Sequence, residues 1–252
     1  MLRGGHRRAD GPPRPFVTAL PEVWYTSPDI WIAERRALFE RSWQVVARGI
    51  DLPQPGSYRA TAIGGLGVIA MRQHDGSVRG FRNLCRHQGM PVLAAGEGRC
   101  VRCAYHGWTY RLDGALAETP PLVAPDDPAD IALRGIGARE QDGFVLLRFD
   151  PGADSDPCLA ALSGLAPAPA PIVAEIEACN WKQTMERALR SRCFVAWEWP
   201  NLVVHAKAVL IAQPRGFSRT ELLRLPIAPA PATAADALAA FHARIHALHG
   251  RP

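Results

Sequence analysis

No stretch of the 252 residues approaches the ~18 consecutive apolar residues that a membrane span needs. The longest apolar run, Leu202 to Ala212, is short and carries His205 and Lys207, so no membrane-spanning segment is expected. Six cysteines in a chain of this length are too few for a disulfide scaffold; in a reducing compartment they read as metal or redox residues. The 22 Gly and 23 Pro show no G-X-Y period, which excludes collagen. A strong excess of charge is also lacking: 29 Lys+Arg face 24 Asp+Glu, a net +5. Part of that excess is Arg3, Arg7, Arg8 and Arg14, crowded among Gly and Pro near the N-terminus. With no aromatic or motif support for a nucleic-acid arm, they read as a solvated tail, and no nucleic-acid partner is expected. Arg7-Arg8 is followed by polar, Pro-rich sequence rather than an apolar core, so no export signal is expected and the cytoplasm is the default location. At 48% hydrophobic and 21% charged, the chain has globular usage, which excludes disorder throughout.

What is present divides the chain. Residues 1–21 read as a flexible tail. An N-terminal helix is expected over 22–42: Ser27 suits a cap, Pro28 the first helical position, and Asp29 the positive end of the dipole. From 43 to 150 short strands alternate with turns. Gln44–Ala47, Tyr58–Ile63, Leu66–Met71, Val78–Phe81 and Gly143–Phe149 are strand candidates, and Gly64-Gly65, Asp75-Gly76 and Asp113-Gly114 are hairpin turns. Residues 151–171, rich in Pro, Ala, Gly and Asp, read as a linker. The region 172–252 offers a helix at Trp181–Leu189, a hairpin within Leu202–Leu225 and an Ala-rich helix at Ala234–His249. The class expected is α+β, mainly β.

Two short segments carry the chemistry. Cys85-Arg86-His87-Gln88-Gly89 is followed, with fifteen residues between His87 and Cys103, by Cys103-Ala104-Tyr105-His106-Gly107-Trp108. Two thiolates and two imidazoles on two loops can close a metal site, and Gly89 and Gly107 permit tight turns beside them. Two metals compete. Zinc takes Cys₂His₂ sets, usually with paired knuckles of like residues. A split of one Cys and one His per loop suits a Rieske [2Fe–2S] cluster, in which two Cys hold one iron and two His the other. Cys100 makes a C-x-x-C with Cys103, but no βαβ pattern surrounds it, and it reads as a strand residue near the cluster.

The stretches Asn83–Gly89, Cys103–Tyr110 and Leu112-Asp113-Gly114 resemble the Rieske domain of the ring-hydroxylating oxygenase alpha subunits. The resemblance implies Cys85, His87, Cys103 and His106 as ligands of the [2Fe–2S] irons. It also implies an antiparallel Rieske fold, followed by a helix-grip (START-like) catalytic domain.

The catalytic part departs from the family. Its signature helix reads N-W-K-x-x-x-E-N-x-x-E-x-Y-H-x-x-x-x-H. Here Asn180-Trp181-Lys182 and Glu186 match, but Arg187 replaces the second Asn. Arg190 falls where the bridging acid is expected, and Cys193 and Glu198 where the two iron-ligating His are expected. A guanidinium cannot accept the hydrogen bonds that a bridging carboxylate makes. Trp199-Pro200-Asn201-Leu202 resembles a later family strand yet follows the helix almost at once, so 172–252 reads as a shortened remnant. No mononuclear iron(II) is expected, and catalytic residues stay unassigned. His242, His246 and His249 share one face of the last helix; a packing helix with solvated histidines is the favoured reading and a metal role the alternative. Glu186 reads as a solvated helix acid with no catalytic role, and His205 as a packing or surface residue.

The function implied is a Rieske-type oxidoreductase that carries one electron from a reductase or ferredoxin to an oxygenase centre. Arg86 and the mild basicity are suited to an acidic redox partner. Two alternatives stand beside it. One is an oxygenase subunit, hydroxylating or demethylating a small organic substrate, alone or in a homo-trimer or hetero-oligomer with a full-length subunit. The other is a decayed copy with no redox partner. Oxygenase activity of this chain alone is not expected.

Overall fold

The computed structural model describes residues 20–94, 96–98, 101–121, 131–149, 159–228 and 237–250. The residues of the N-terminal tail up to 19, Cys100, residues 151–158 of the expected linker and residues 234–236 of the expected last helix lie outside them. The chain opens with α1 (Val23–Thr26) and α2 (Pro28–Glu34). Ser27 caps α2 as its sequence predicts: the Ile30 N–H donates to its hydroxyl at 3.4 Å and Pro28 takes the first position. The helix then widens into a π-turn over Arg35–Phe39, which buries Leu38 and Phe39.

Nine strands follow among the described residues: β1 (Gln44–Arg48), β2 (Tyr58–Ile63), β3 (Leu66–Arg72), β4 (Val78–Arg82), β5 (Gly96–Gly98), β6 (Thr109–Tyr110), β7 (Leu116–Glu118), β8 (Gly135–Gln141) and β9 (Phe144–Arg148). Seven make one antiparallel sheet in the order β1-β9-β8-β4-β3-β2-β5, and β6 and β7 pair separately. The glycine turns form where the sequence predicts them. Gly64, Gly65, Gly76 and Gly114 all take positive φ, from 56° to 90°, a region that glycine enters without steric cost.

The second part holds β10 (Val173–Glu177), α3 (Trp181–Leu189), β11 (Phe194–Glu198), β12 (Leu202–His205), β13 (Ala208–Pro214), β14 (Thr220–Pro226) and α4 (Ala237–His249). Its sheet is antiparallel in the order β10-β14-β13-β12-β11. α3 spans the predicted residues because Asn180 caps it: its side chain accepts from Lys182 N at 3.0 Å while Gln183 Oε1 accepts from Asn180 N at 3.0 Å. The expected hairpin is instead three strands, β12 to β14, and β10 and β11 lie outside what the sequence marked. The mainly-β α+β class holds.

One apolar core joins the two parts, with Phe39, Val46, Ile63 and Leu147 of the first packed together with Trp181, Met185, Phe241 and Ile245 of the second. Leu20, at the end of the stretch read as tail, is buried in it. The stretch read as linker is also held. Leu162 is fully buried, and Arg48, paired with Asp51 at 2.6 Å, donates to the Ala168 and Ala170 carbonyls at 2.6 and 2.7 Å. Apolar Leu side chains spaced through Pro/Ala sequence supply that anchoring, which composition alone hides. Among the described residues, no helix is long and apolar enough to cross a membrane.

Candidate metal centre and its relatives

The two Cys/His loops are the same turn built twice. In the first, Cys85 N–H donates to the Met90 carbonyl at 2.7 Å and Gly89 N–H to the Cys85 carbonyl at 2.9 Å. In the second, Cys103 N–H donates to the Trp108 carbonyl at 2.8 Å and Gly107 N–H to the Cys103 carbonyl at 2.9 Å. Gly89 and Gly107 sit at φ 72° and 74°, so each turn needs glycine where it reverses. Buried Asn83 pins the first loop: its Oδ1 accepts from Val92 and Leu93 N–H at 2.9 and 3.0 Å, and its Nδ2 donates to the Leu93 carbonyl at 2.8 Å.

These turns bring the four predicted residues together with their donors sorted by depth. Cys85 and Cys103 are buried in a core formed with Phe81, Val92, Val101 and Trp108, and both are free thiols. His87 and His106 lie at the partly exposed end with their Nδ1 atoms 3.0 Å apart. The His87 ring stacks on buried Trp108, centroids 4.8 Å apart and planes 15° apart, which fixes its direction. Tyr105 lies against His106 at 4.0 Å between centroids. The Tyr110 hydroxyl is 3.1 Å from Cys85 Sγ and accepts from Arg86 N–H at 2.9 Å. Burial pushes the Cys85 thiol above its ordinary value, and neighbouring Cys103 adds to the shift. Burial, and then the bond to Cys85, push the Tyr110 phenol up as well.

The donor set fits a [2Fe–2S] cluster. Such a cluster divides its protein donors into a thiolate pair and an imidazole pair, and the fold supplies a buried pair of sulfurs and a facing pair of Nδ1 atoms. A single tetrahedral ion instead needs its donors around one point. Among the described residues, no group of three or more His, Cys, Asp or Glu side chains has that convergence.

The other predicted positions behave differently. Extended strand β11 stands between Cys193 and Glu198; at ~3.3 Å per residue it holds them on the order of 15 Å apart. Cys193 is exposed, and Glu198 Oε1 accepts from its neighbour's N–H, Trp199 N, at 3.3 Å. Arg190 is exposed at the end of α3. These three positions do not fit one metal ion. His205 Nε2 lies 3.1 Å from the Ala188 carbonyl, a packing role as expected.

Glu186 and the α4 histidines require correction, because none is a simple solvated group. Glu186 Oε1 accepts from the Tyr25 hydroxyl at 2.5 Å and lies 3.0 Å from His242 Nε2. His249 Nε2 lies 2.8 Å from Glu34 Oε1. Glu34 in turn receives Lys182 Nζ at 2.7 Å and Trp181 Nε1 at 2.8 Å, with the Glu34 and Lys182 side chains fully buried. His246 packs edge-on against Trp24 at 5.0 Å. His249 shares that ring, at 5.0 Å between centroids, while His242 turns to Glu186, so the three do not converge on one point. Sequence reasoning missed this network because its members lie up to 215 positions apart; the one local sign was Lys182 beside Trp181 at the start of an otherwise amphipathic helix.

Comparison with known proteins agrees with the geometry. The Rieske [2Fe–2S] domain family matches residues 42–132. The chain is 35% identical over 138 residues to the carnitine monooxygenase oxygenase subunit of Acinetobacter pittii (strain PHEA-2), covering 53% of this chain and 37% of that one. It is 30% identical over 149 residues to the chloroplastic choline monooxygenase of Beta vulgaris, 58% of this chain and 33% of that one. Against the glycine betaine monooxygenase oxygenase subunit of Chromohalobacter salexigens the figures are 31% over 179 residues, 67% and 40%. The chain therefore spans less than half the length of these curated relatives. Among solved structures, the apo form of a quaternary ammonium Rieske monooxygenase superposes with a TM-score of 0.70 at 22% identity, covering 91% of this chain and 80% of that one. Naphthalene 1,2-dioxygenase gives 0.69 at 17%, covering 89% and 74%. These two likenesses establish the fold. Residues 42–132 are a Rieske [2Fe–2S] domain. The curated relatives this domain resembles are monooxygenase oxygenase subunits.

Proposed function

We propose that this chain works as an oxygenase-type subunit. In this reading it receives one electron at a time from a reductase or ferredoxin and delivers it to an oxygen-activating centre. A [2Fe–2S] cluster held by Cys85, His87, Cys103 and His106 supplies the one-electron chemistry. Support for that ligand set is the facing pair of Nδ1 atoms at 3.0 Å above two buried thiols. His87 and His106, at the partly exposed end, are the contact edge for donor and acceptor. Trp108 orients His87, and Tyr110 donates to the Cys85 sulfur.

The oxygenase reading displaces the free-standing electron carrier. The observation that carries it is the shared core: α3 and α4 are packed into the Rieske part through Phe39 and Trp181 rather than trailing from it. Because Arg190, Cys193 and Glu198 do not fit an ion, and any second copy of this chain carries the same three residues, the centre served is proposed to lie on a full-length oxygenase subunit in a hetero-oligomer. One structural relative is described with carnitine oxidation by gut microbiota and inter-subunit electron transfer. Carnitine, choline and glycine betaine, after which relatives are named, share a trimethylammonium group, and a small quaternary ammonium compound is the substrate class we carry over.

The test mixes this chain with a full-length oxygenase subunit whose own Rieske histidines have been removed, plus reductase, NADH and substrate. The reading expects this chain to restore product formation and His87→Ala to abolish the rescue. No rescue by a chain that is itself fully reduced contradicts it.

A further inference from the structure

A second group of aromatic side chains lies away from the cluster loops. Trp197 of β11, Trp199 just beyond it and Phe241 of α4 form a triangle, with ring centroids 6.3 Å (Trp197–Trp199), 6.1 Å (Trp197–Phe241) and 5.9 Å (Trp199–Phe241) apart. Phe241 is fully buried and forms the floor, while both indoles are partly exposed. Their planes stand 84° apart, so they present two walls. Arg244, one turn further along α4, is exposed and lays its guanidinium carbon 5.4 Å from the Trp197 centroid and 5.7 Å from that of Trp199. Among the described residues no carboxylate pairs with it. Glu198, between the two indoles in sequence, belongs to the opposite face of β11 by strand alternation. The attraction for positive charge at this spot therefore comes from ring faces.

We propose that Trp197 and Trp199 form a binding face for a small quaternary ammonium ion, with Arg244 as a built-in occupant that swings into solvent when the ligand arrives. Indole faces attract cations through the ring quadrupole, and quaternary ammonium groups are the ligands such faces take. Their methyl groups bury against the rings and leave no N–H donor unpaired, which neither lysine nor arginine achieves. Displacing Arg244 breaks no ion pair among the described residues and needs only a side-chain rotation. The choice of ligand rests on the substrate class proposed above; the existence of a cation-binding face rests on the rings and the guanidinium alone.

The experiment uses the full, cluster-containing chain and saturation-transfer NMR on the methyl protons of tetramethylammonium chloride. Ionic strength is held constant with sodium chloride, and uncharged 3,3-dimethyl-1-butanol serves as the control. Saturable tetramethylammonium binding is expected, with the alcohol about ten-fold weaker. Arg244→Ala, a change at an exposed position, is expected to bind about five-fold tighter because the competing cation is gone. Trp199→Leu is expected to lose the signal. Equal binding of alcohol and ammonium, or an Arg244→Ala affinity equal to that of the unaltered chain, overturns the proposal. Cluster absorbance is read in the same samples. Protein with an intact cluster and no ammonium binding removes this face and leaves the oxygenase reading standing. Protein that binds ammonium but never assembles a cluster does the reverse.

Discussion

The Nδ1 atoms of His87 and His106 stand 3.0 Å apart, although the two residues are nineteen positions apart in sequence and belong to different loops. The arrangement follows from two identical glycine-closed turns and from Trp108, which stacks on His87.

The Tyr110 hydroxyl next to Cys85 Sγ sets the first prediction. A coordinated thiolate carries no proton, so the phenol must donate. That bond favours the more negative, reduced state. Tyr110→Phe is expected to keep the cluster but lower its potential by roughly 60 mV, a tenfold change in a one-electron equilibrium and about the worth of one hydrogen bond. Potentiometric titration of the reduced-state paramagnetic signal measures it; an unchanged potential shows that the bond is absent in the loaded protein.

The buried pair Glu34–Lys182 sets the second. Removing one member of a fully buried ion pair strands the other and costs on the order of 3–5 kcal/mol. Lys182→Met is expected to destabilise the chain by about that amount in urea unfolding. Pairing it with Glu34→Leu is expected to recover a large part, since no charge is then left unpaired by Lys182. Additive losses in the double variant contradict the pairing.

Acid sensitivity is the third. Burial pushes the Glu34 carboxyl up, but His249, Lys182 and Trp181 outweigh it and hold the group below its ordinary 4.5. Burial holds His205 below its ordinary 6.5, aided by Arg224 and opposed by the Ala188 carbonyl. Both folded values lie below the unfolded ones, so the folded chain binds fewer protons and stability falls with falling pH. The His205 part is lost on descending from 6.5 and the Glu34 part on descending from 4.5. Unfolding free energies measured at stepped pH are expected to show the upper step vanish in His205→Gln. A step that persists assigns it to another group.

Iron beyond the cluster is the fourth. Cys103→Ser is expected to leave a chain with near-zero iron, because Arg190, Cys193 and Glu198 do not fit an ion. About one iron per chain remaining in that variant contradicts this and locates a mononuclear site.

The cluster loops were legible because their chemistry is local. Cys, His and Gly at fixed offsets specify both ligand type and turn geometry within a few residues. Strands β2 and β3 and helix α3 were legible for the same reason: glycine turns bound the strands, and Asn180 with Gln183 caps the helix. Strands β10 and β11 were not, because β10 is an exposed edge with no buried alternation and β11 begins directly after a helix end. The Glu34–Lys182–His249 and Tyr25–Glu186–His242 contacts were hidden because each joins residues brought together only by the finished core. On α4 the packing role was read correctly, but a histidine facing a buried carboxylate looks in sequence like one facing water.

The most direct measurement is the iron and acid-labile sulfide content of anaerobically purified protein, read together with its reduced-state paramagnetic signal. The account predicts about two irons and two sulfides per chain, all lost in His87→Ala together with the signal. A single iron or a zinc without labile sulfide, or a full cluster surviving in His87→Ala, contradicts it.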